Sequence, residues 1–157
     1  MKNESDERLL AIKKEFLSKS KTELVGIGVI YSDIEANIRR EIEVAGMNAV
    51  LEYELNRLNI EDKSKIKDVS ERDCGYDIES VDRLIVVESL KTTGSVKLTS
   101  HEWETASRLQ GDYWLYIVEK AFDDPIVHTI QNPYQQFKNK VKIEEIIDYR
   151  YVIEDWK

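Results

Sequence analysis

Apolar positions recur at helical spacing at the start of the chain. In DERLLAIKKEFLS (6–18), Leu9, Leu10, Ile12, Phe16 and Leu17 predict an amphipathic helix. ELVGIGVIYS (23–32) is apolar but carries two glycines, and strand and buried turn both stay open there. The longest helical signal is 33–58, DIEANIRREIEVAGMNAVLEYELNRL, with Ser32 and Glu35 spaced as a capping box at its start. One stripe holds Ile38, Ile42, Ala45, Ala49 and Tyr53, and another holds Val44, Leu51, Leu55 and Leu58. Two apolar stripes predict a helix covered on more than one side. Between them Glu43, Met47, Val50 and Glu54 share a face, so the two glutamates either flank a buried seam or point at a site.

After a polar loop (61–74) the period shortens to that of strands. DIES (77–80) and RLIVVESL (83–90) predict two strands joined by a tight turn at Val81–Asp82, and SVKLT (95–99) a third. Thr99 and Glu102 form a second capping box, opening a short helix in SHEWETASRLQ. DYWLYIVE (112–119) is apolar on both alternating faces and reads as a central strand. IVHTIQN (126–132) reads as a further strand, stopped at Asn132–Pro133, whereas EEIIDYRYVIEDW suits either type. This order predicts a mixed α/β fold around a small sheet. The expected organisation is one domain over 1–157: a helical region at 1–32, a core at about 33–133 and an extension at 134–157.

A chain of 157 residues with 41% hydrophobic and 34% charged residues can bury a real core. No apolar run approaches the roughly 18 residues of a membrane span, and MKNESDERLL is too polar for a signal peptide. A single cysteine, Cys74, excludes an internal disulfide framework and leads us to expect a reducing, cytoplasmic setting. The net charge of −8 argues against a free-standing nucleic-acid binder, whose phosphate contacts need a basic surface. The segment 71–90 concentrates Glu71, Asp73, Asp77, Glu79, Asp82 and Glu88 against Arg72 and Arg83. Divalent cations would reverse that sign locally. Lysines gather at 13–21, 63–67 and 138–142, where solvated faces are the ordinary explanation.

The words IRREIEVAGMNAVLEYE, GYDIES, LIVVESLKTTGSVKLTSHEWETA, DYWLYIVE and IQNP occur in this order over about residues 38–133. This region resembles the domain at the C-terminus of the plant protein NO VEIN, a family also found in bacterial helicase-like and phage-defence proteins. The resemblance implies a PD-(D/E)XK nuclease-like superfamily member with a restriction-endonuclease-like core of helix, three-strand sheet, helix and strand, preceded here by an N-terminal helical extension. It further implies an acid on one strand and Glu-x-Lys on its neighbour. Residues two apart on a strand face the same way, so such carboxylates can hold Mg²⁺ (or Mn²⁺) while the lysine sits over the attacking water.

Asp77, in GYDI, matches the first acid. The second half of the motif departs from the family's pattern. Anchored without gaps on Thr93–Gly94, its Glu position falls on Val86 and its Lys position on Glu88. With one residue inserted, Glu88 becomes the acid and Lys91 the lysine. Three residues apart, these two would share a face only through a β-bulge at Ser89–Leu90, or through Lys91 reaching back. Glu54, in EYE, is the candidate for an additional metal ligand from the helix, with Glu43 as its alternative.

Other features carry plainer expectations. Glu79 reads as a surface acid and Lys97 as an outward strand lysine. His101 and His128 have no ligand spacing around them, and Cys74 has no evident partner base. Trp103, Tyr113, Trp114 and Tyr116 read as core aromatics rather than a base-stacking platform. Two functions follow. One is a Mg-dependent phosphodiesterase (nuclease) on DNA or RNA, in phage defence or repair. The other is a catalytically inactive module that binds nucleic acid or protein. The partners implied are nucleic acid, a helicase- or methyltransferase-type protein, or a second copy in a homodimer, and no membrane.

Overall fold

The computed structural model describes residues 7–8, 11, 21–145 and 149–157, with side chains described in these ranges except for 21–32 and Tyr149. The chain divides into two compact units, Met1–Val44 and Ala45–Lys157. In the first, Glu7, Arg8 and Ala11 are helical, and the rest of the helix expected over 6–18 lies outside the described residues.

Helix α1 runs without a break from Lys21 to Leu58. ELVGIGVIYS is therefore helix, neither strand nor turn, and Ser32 lies in the helix interior rather than at its N-cap. The physical reason is that glycine and β-branched residues lower helix propensity by only about 1 kcal/mol each or less, a bias that a continuing helix overrides. A capping box marks a start only where the backbone leaves the helical region before it.

In the second unit a five-stranded sheet is built from β1 (Lys67–Asp68), β2 (Ile78–Glu79), β3 (Leu84–Ser89), β5 (Tyr113–Glu119) and β6 (Ile126–Gln131), in the order β1-β2-β3-β5-β6. Only the β3–β5 pair is parallel, and helix α2 (Ser100–Leu109) lies in the crossover between them. The capping box expected for α2 is present, with Thr99 and Glu102 exchanging both bonds. The turn at Val81–Asp82 closes as expected, Ser80 N–H donating to Arg83 C=O at 2.9 Å. SVKLT is a strand, β4 (Val96–Thr99), but it pairs with β8 (Tyr149–Ile153) and not with β3. With β7 (Lys142–Glu145) these form a second sheet, β4-β8-β7, so 144–145 and 149–153 of EEIIDYRYVIEDW are strand, and 146–148 lie outside the described residues. The α/β class holds, while the three-strand sheet expected before α2 is divided between two sheets. Asn132 does not merely stop β6; it caps a short helix, α3 (Pro133–Phe137).

Parallel register fixes which side chains share a face. Val86, Glu88, Leu115 and Ile117 point one way, and Ile85, Val87, Trp114 and Tyr116 the other. The first face packs under α2, α3, β4 and β8 in a core that includes Val86, Leu98, Trp103, Tyr113, Leu115 and Ile153. The second face meets α1. There Gly46 lies so close to Ser89 that a Cβ on Gly46 would stand 1.7 Å from Ser89 Oγ. A glycine in the helix is what admits that approach. Tyr53 stacks edge-on against Tyr116 with ring centroids 5.7 Å apart.

Candidate functional site

Asp77 immediately precedes β2, where the chain has just turned through Gly75. Gly75 holds φ +81°, and a Cβ there would lie 2.2 Å from Thr105 Oγ1 on α2. Its carbonyl accepts from the buried Tyr113 hydroxyl at 2.6 Å. These contacts set the position of the acid two residues on. Asp77 N–H bonds to Ile85 C=O, while its carboxylate Oδ2 accepts from Val87 N–H at 2.7 Å. The side chain thus takes a ladder position that a backbone carbonyl would otherwise fill.

Antiparallel register pairs Ile78 with Ile85, so Asp77 lies opposite Val86 and on the same face as Val86 and Glu88. Asp77 and Glu88 are both half-buried. Both carboxylates act on Tyr113. Burial pushes the Tyr113 hydroxyl well above its ordinary pKa, and the charges of Glu102, Asp77 and Glu88 push it further. Burial likewise raises Glu102, against the hydrogen bonds it accepts from Thr99. The two acids nominated from opposite ends of the stretch 77–88 are therefore brought to one electrostatic neighbourhood.

Lys91 is placed differently. Leu84–Ser89 pairs one-for-one with Tyr113–Val118, and Leu90 N–H continues the ladder to Val118 C=O at 2.8 Å. The pairing has no bulge at Ser89–Leu90. Alternation gives the face shared by Val86 and Glu88 to Leu90, which packs against the core. Lys91 lies beyond the strand, half-buried in the bend 91–93. Val86, the ungapped Glu position, is fully buried.

Glu54 is on the other face. It is fully buried and holds an ion pair with Arg57. Ser80 Oγ and the Tyr116 hydroxyl both donate to it, and Arg57 continues to Asp82 in the β2–β3 turn. Burial alone would raise the Glu54 carboxyl, but the bonds from Arg57, Ser80 and Tyr116 hold it below its ordinary value. Arg83 caps the network, donating to the Tyr116 hydroxyl and lying 3.6 Å over the Trp114 ring. The sheet stands between this cluster and Asp77–Glu88, so the helix glutamate does not join the strand acids. Glu43 is exposed.

The plainer expectations can be placed too. Lys97 pairs with Glu144 on the second sheet at 2.8 Å, and Glu79 accepts from Tyr76 at 3.2 Å. His101 faces Asp73, and His128 meets Glu119 at 2.7 Å. Glu119 is held below its ordinary pKa by Thr93, then by His128 and Lys157, against burial. Trp103, Tyr113 and Tyr116 are core, while Trp114 is half-buried as the stacking partner of Arg83. The Gly46–Ser89 contact and the roles of Arg57 and Arg83 are not evident from residue order. The signal available was the line Gly46, Val50, Tyr53, Glu54, Arg57, which is one face of the helix.

Among the described residues no group of three His, Cys, Asp or Glu side chains stands together as a ready metal cluster. Asp77 and Glu88 are nevertheless the hard oxygen donors that Mg²⁺ takes, since that ion commonly uses one or two carboxylates and keeps its remaining waters. The family model described as Protein NO VEIN, C-terminal, matches residues 42–130, from the middle of α1 through most of β6. The chain belongs to that family. The match includes Gly46, Glu54, Asp77, Glu88 and Lys91, and thus both faces described above. No curated protein and no solved structure matches. Among the described residues, no helix is long and apolar enough to cross a membrane.

Proposed function

We propose that the chain is a nucleic-acid-directed, nuclease-like domain in which Asp77 and Glu88 bind a divalent cation. The observation that carries this reading is the convergence of these acids on one sheet face, with Asp77 anchored to the Glu88 strand through Val87 N–H. A bound Mg²⁺ would supply Lewis acidity toward a phosphodiester and lower the pKa of a water. The chain's own part is to hold two carboxylates in register and to bring Lys91 from the turn as a charge for phosphate or water. The acidic balance of the molecule suits this only with the cation bound, because the uncompensated acids repel phosphate.

The one-for-one pairing up to Ser89, with Lys91 beyond the strand, favours a second reading: a module that retains the acidic pair without a strand lysine and binds nucleic acid or a protein without cleaving. Calorimetric titration with Mn²⁺ separates these from no site at all. The expected result is binding to the wild type that Asp77→Asn and Glu88→Gln each weaken by about tenfold or more, equivalent to 1.4 kcal/mol. A well-folded wild type that binds no ion rejects the proposal. Binding together with Mn²⁺-dependent cleavage of single- or double-stranded DNA or RNA that Lys91→Ala lowers identifies the phosphodiesterase. Binding without cleavage of any of these substrates identifies the module.

A further inference from the structure

The strand β6 reads IVHTIQ, with no acid, lysine, arginine, proline or glycine in it. It pairs one-for-one with β5 over its whole length and closes the five-stranded sheet on that side. Charges, prolines and bulges are the usual guards of an open sheet edge, and β6 has none of them. Val127–Ile130 are half-buried, and Ile126 is exposed.

Antiparallel pairing turns the backbone groups of alternate residues toward the neighbour and away from it. Asn132 N–H bonds Tyr113 C=O at 2.9 Å, so in this register His128 and Ile130 face β5 while Val127, Thr129 and Gln131 face outward. The Gln131 C=O is already taken, accepting from Gln136 Nε2 at 2.6 Å. Pro125, two residues before Val127, has no N–H to offer. The outward N–H and C=O groups of Val127 and Thr129 are left, and among the described residues no strand lies beyond them.

We propose that β6 is a self-association edge, on which β6 of a second copy pairs antiparallel about a two-fold axis that passes beside His128, perpendicular to the sheet. This register sets Val127 of each copy opposite Thr129 of the other, so outward groups meet outward groups and exchange N–H···O=C bonds in both directions. Extended by one pair, it sets Gln131 opposite Pro125. The missing N–H of one then falls opposite the occupied C=O of the other. A foreign strand would have to reproduce that donor and acceptor pattern, which β6 matches to itself by symmetry. Val127 and Thr129 are both β-branched and meet on the α1 face as a favourable cross-strand pair. On the opposite face His128 meets its counterpart, each ring held by its own Glu119 at 2.7 Å.

Charge favours the same arrangement. Asp123 and Asp124 precede β6, whereas Asn132–Phe137 after it carry no charge. Antiparallel pairing lays the acidic end of each strand beside the uncharged end of the other, which matters in a molecule of net charge −8. A contact through one short strand lies at the small end of specific interfaces, so the dimer is weak and concentration-dependent.

Sedimentation equilibrium of the full chain over a wide range of concentrations tests the association, and the mass is expected to rise from monomer toward dimer. Amide hydrogen exchange of the same wild type reads the register. The Val127 and Thr129 amides gain protection by about tenfold or more as concentration rises, while those of His128 and Ile130, bonded to β5, are protected throughout. Val127→Asp/Thr129→Asp sets like charges opposite each other in both pairs and holds the protein monomeric with unchanged far-UV circular dichroism. Val127→Lys/Thr129→Asp sets opposite charges there and restores association at low salt. A wild type that stays monomeric at every concentration overturns the proposal, even if an extended peptide of another protein adds to this edge. So does a dimer whose Val127 and Thr129 amides gain no protection, association that persists in the doubly acidic variant, or association that the opposite charges do not restore. Should the doubly acidic variant not fold, exchange in the wild type decides alone. Mn²⁺ binding is read separately and is expected to be unchanged in both variants, so failure of the dimer and failure of the acidic site are distinguishable.

Discussion

The two faces of the five-stranded sheet treat their carboxylates in opposite ways. On the α1 face Glu54 is fully buried, with a guanidinium and two hydroxyls directed at it. On the opposite face Asp77 and Glu88 are half-buried, and Asp77 Oδ2 accepts from Val87 N–H. A buried carboxylate stays ionised only when its surroundings supply donors, and α1, the β2–β3 turn and β5 all contribute one to Glu54. The cost of that arrangement is commitment: a group so surrounded has a structural task. Asp77 and Glu88, near the ends of their strands, keep a partial access to solvent that Glu54 lacks.

Removing one partner of the buried pair is the largest way to break this contrast. Glu54→Ala is expected to cost about 3–5 kcal/mol in urea unfolding, since it strands Arg57 and opens a cavity. Asp77→Asn and Glu88→Gln should cost within about 1 kcal/mol, because both groups are partly exposed and asparagine keeps an acceptor for Val87. Comparable losses at all three positions would erase the distinction between the faces.

Next in size is the helix–strand contact. Gly46→Ala gains up to about 1 kcal/mol of helix propensity, yet the overlap with Ser89 is expected to make it destabilising by about 1–3 kcal/mol net. Ser89→Gly in the same chain should return part of that loss, a coupling that a double-mutant cycle reads directly. Neutral behaviour of Gly46→Ala would show that α1 can lift from the sheet.

The pH dependence sharpens the comparison through its sign. Glu54 and Asp82 are both held below their ordinary values of 4.5 and 3.8, the first by donors that outweigh burial and the second chiefly by Arg57. Their contribution is therefore present above those ordinary values and is lost as pH falls through the depressed ones. Glu102, on the other face, is raised from 4.5 by burial, so its ionisation costs stability as pH rises through its lifted value. Unfolding midpoints measured below pH 5 should drop in the wild type and drop less steeply in Glu54→Gln. Glu102→Gln should remove that loss, so that between low pH and neutrality it gains stability relative to the wild type.

The smallest effect belongs to the second sheet. The Lys97–Glu144 pair is half-exposed on both sides, so Lys97→Ala is expected to change stability by less than about 1 kcal/mol. A larger loss would mean that β4 and β7 depend on that pair more than exposure allows.

Much of this architecture was legible in residue order. Thr99 and Glu102 predicted their capping box because the motif is local, satisfied within one turn. Tyr113–Glu119 announced an interior strand because a strand covered on both faces has no reason to alternate. GYDI led to Asp77 for a similar reason, since the glycine that makes the turn stands two residues from the acid it positions. What misled was also local. Ser32–Glu35 carried the pattern of a helix start, but a pattern is silent on whether the residues before it are already helical.

Sequence alone determined the α/β class, the order of most elements, the family and the nomination of Asp77, Glu88, Lys91 and Glu54. Tertiary structure alone decided which of these meet. Register between β2, β3 and β5 put Asp77 and Glu88 on one face, left Lys91 past the end of a strand without a bulge, and gave Glu54 to the opposite side. The physical reason is that a side chain's face depends on the parity of pairing with a strand far away in sequence, and one residue of slip reverses it. No run of residues read by itself contains that parity.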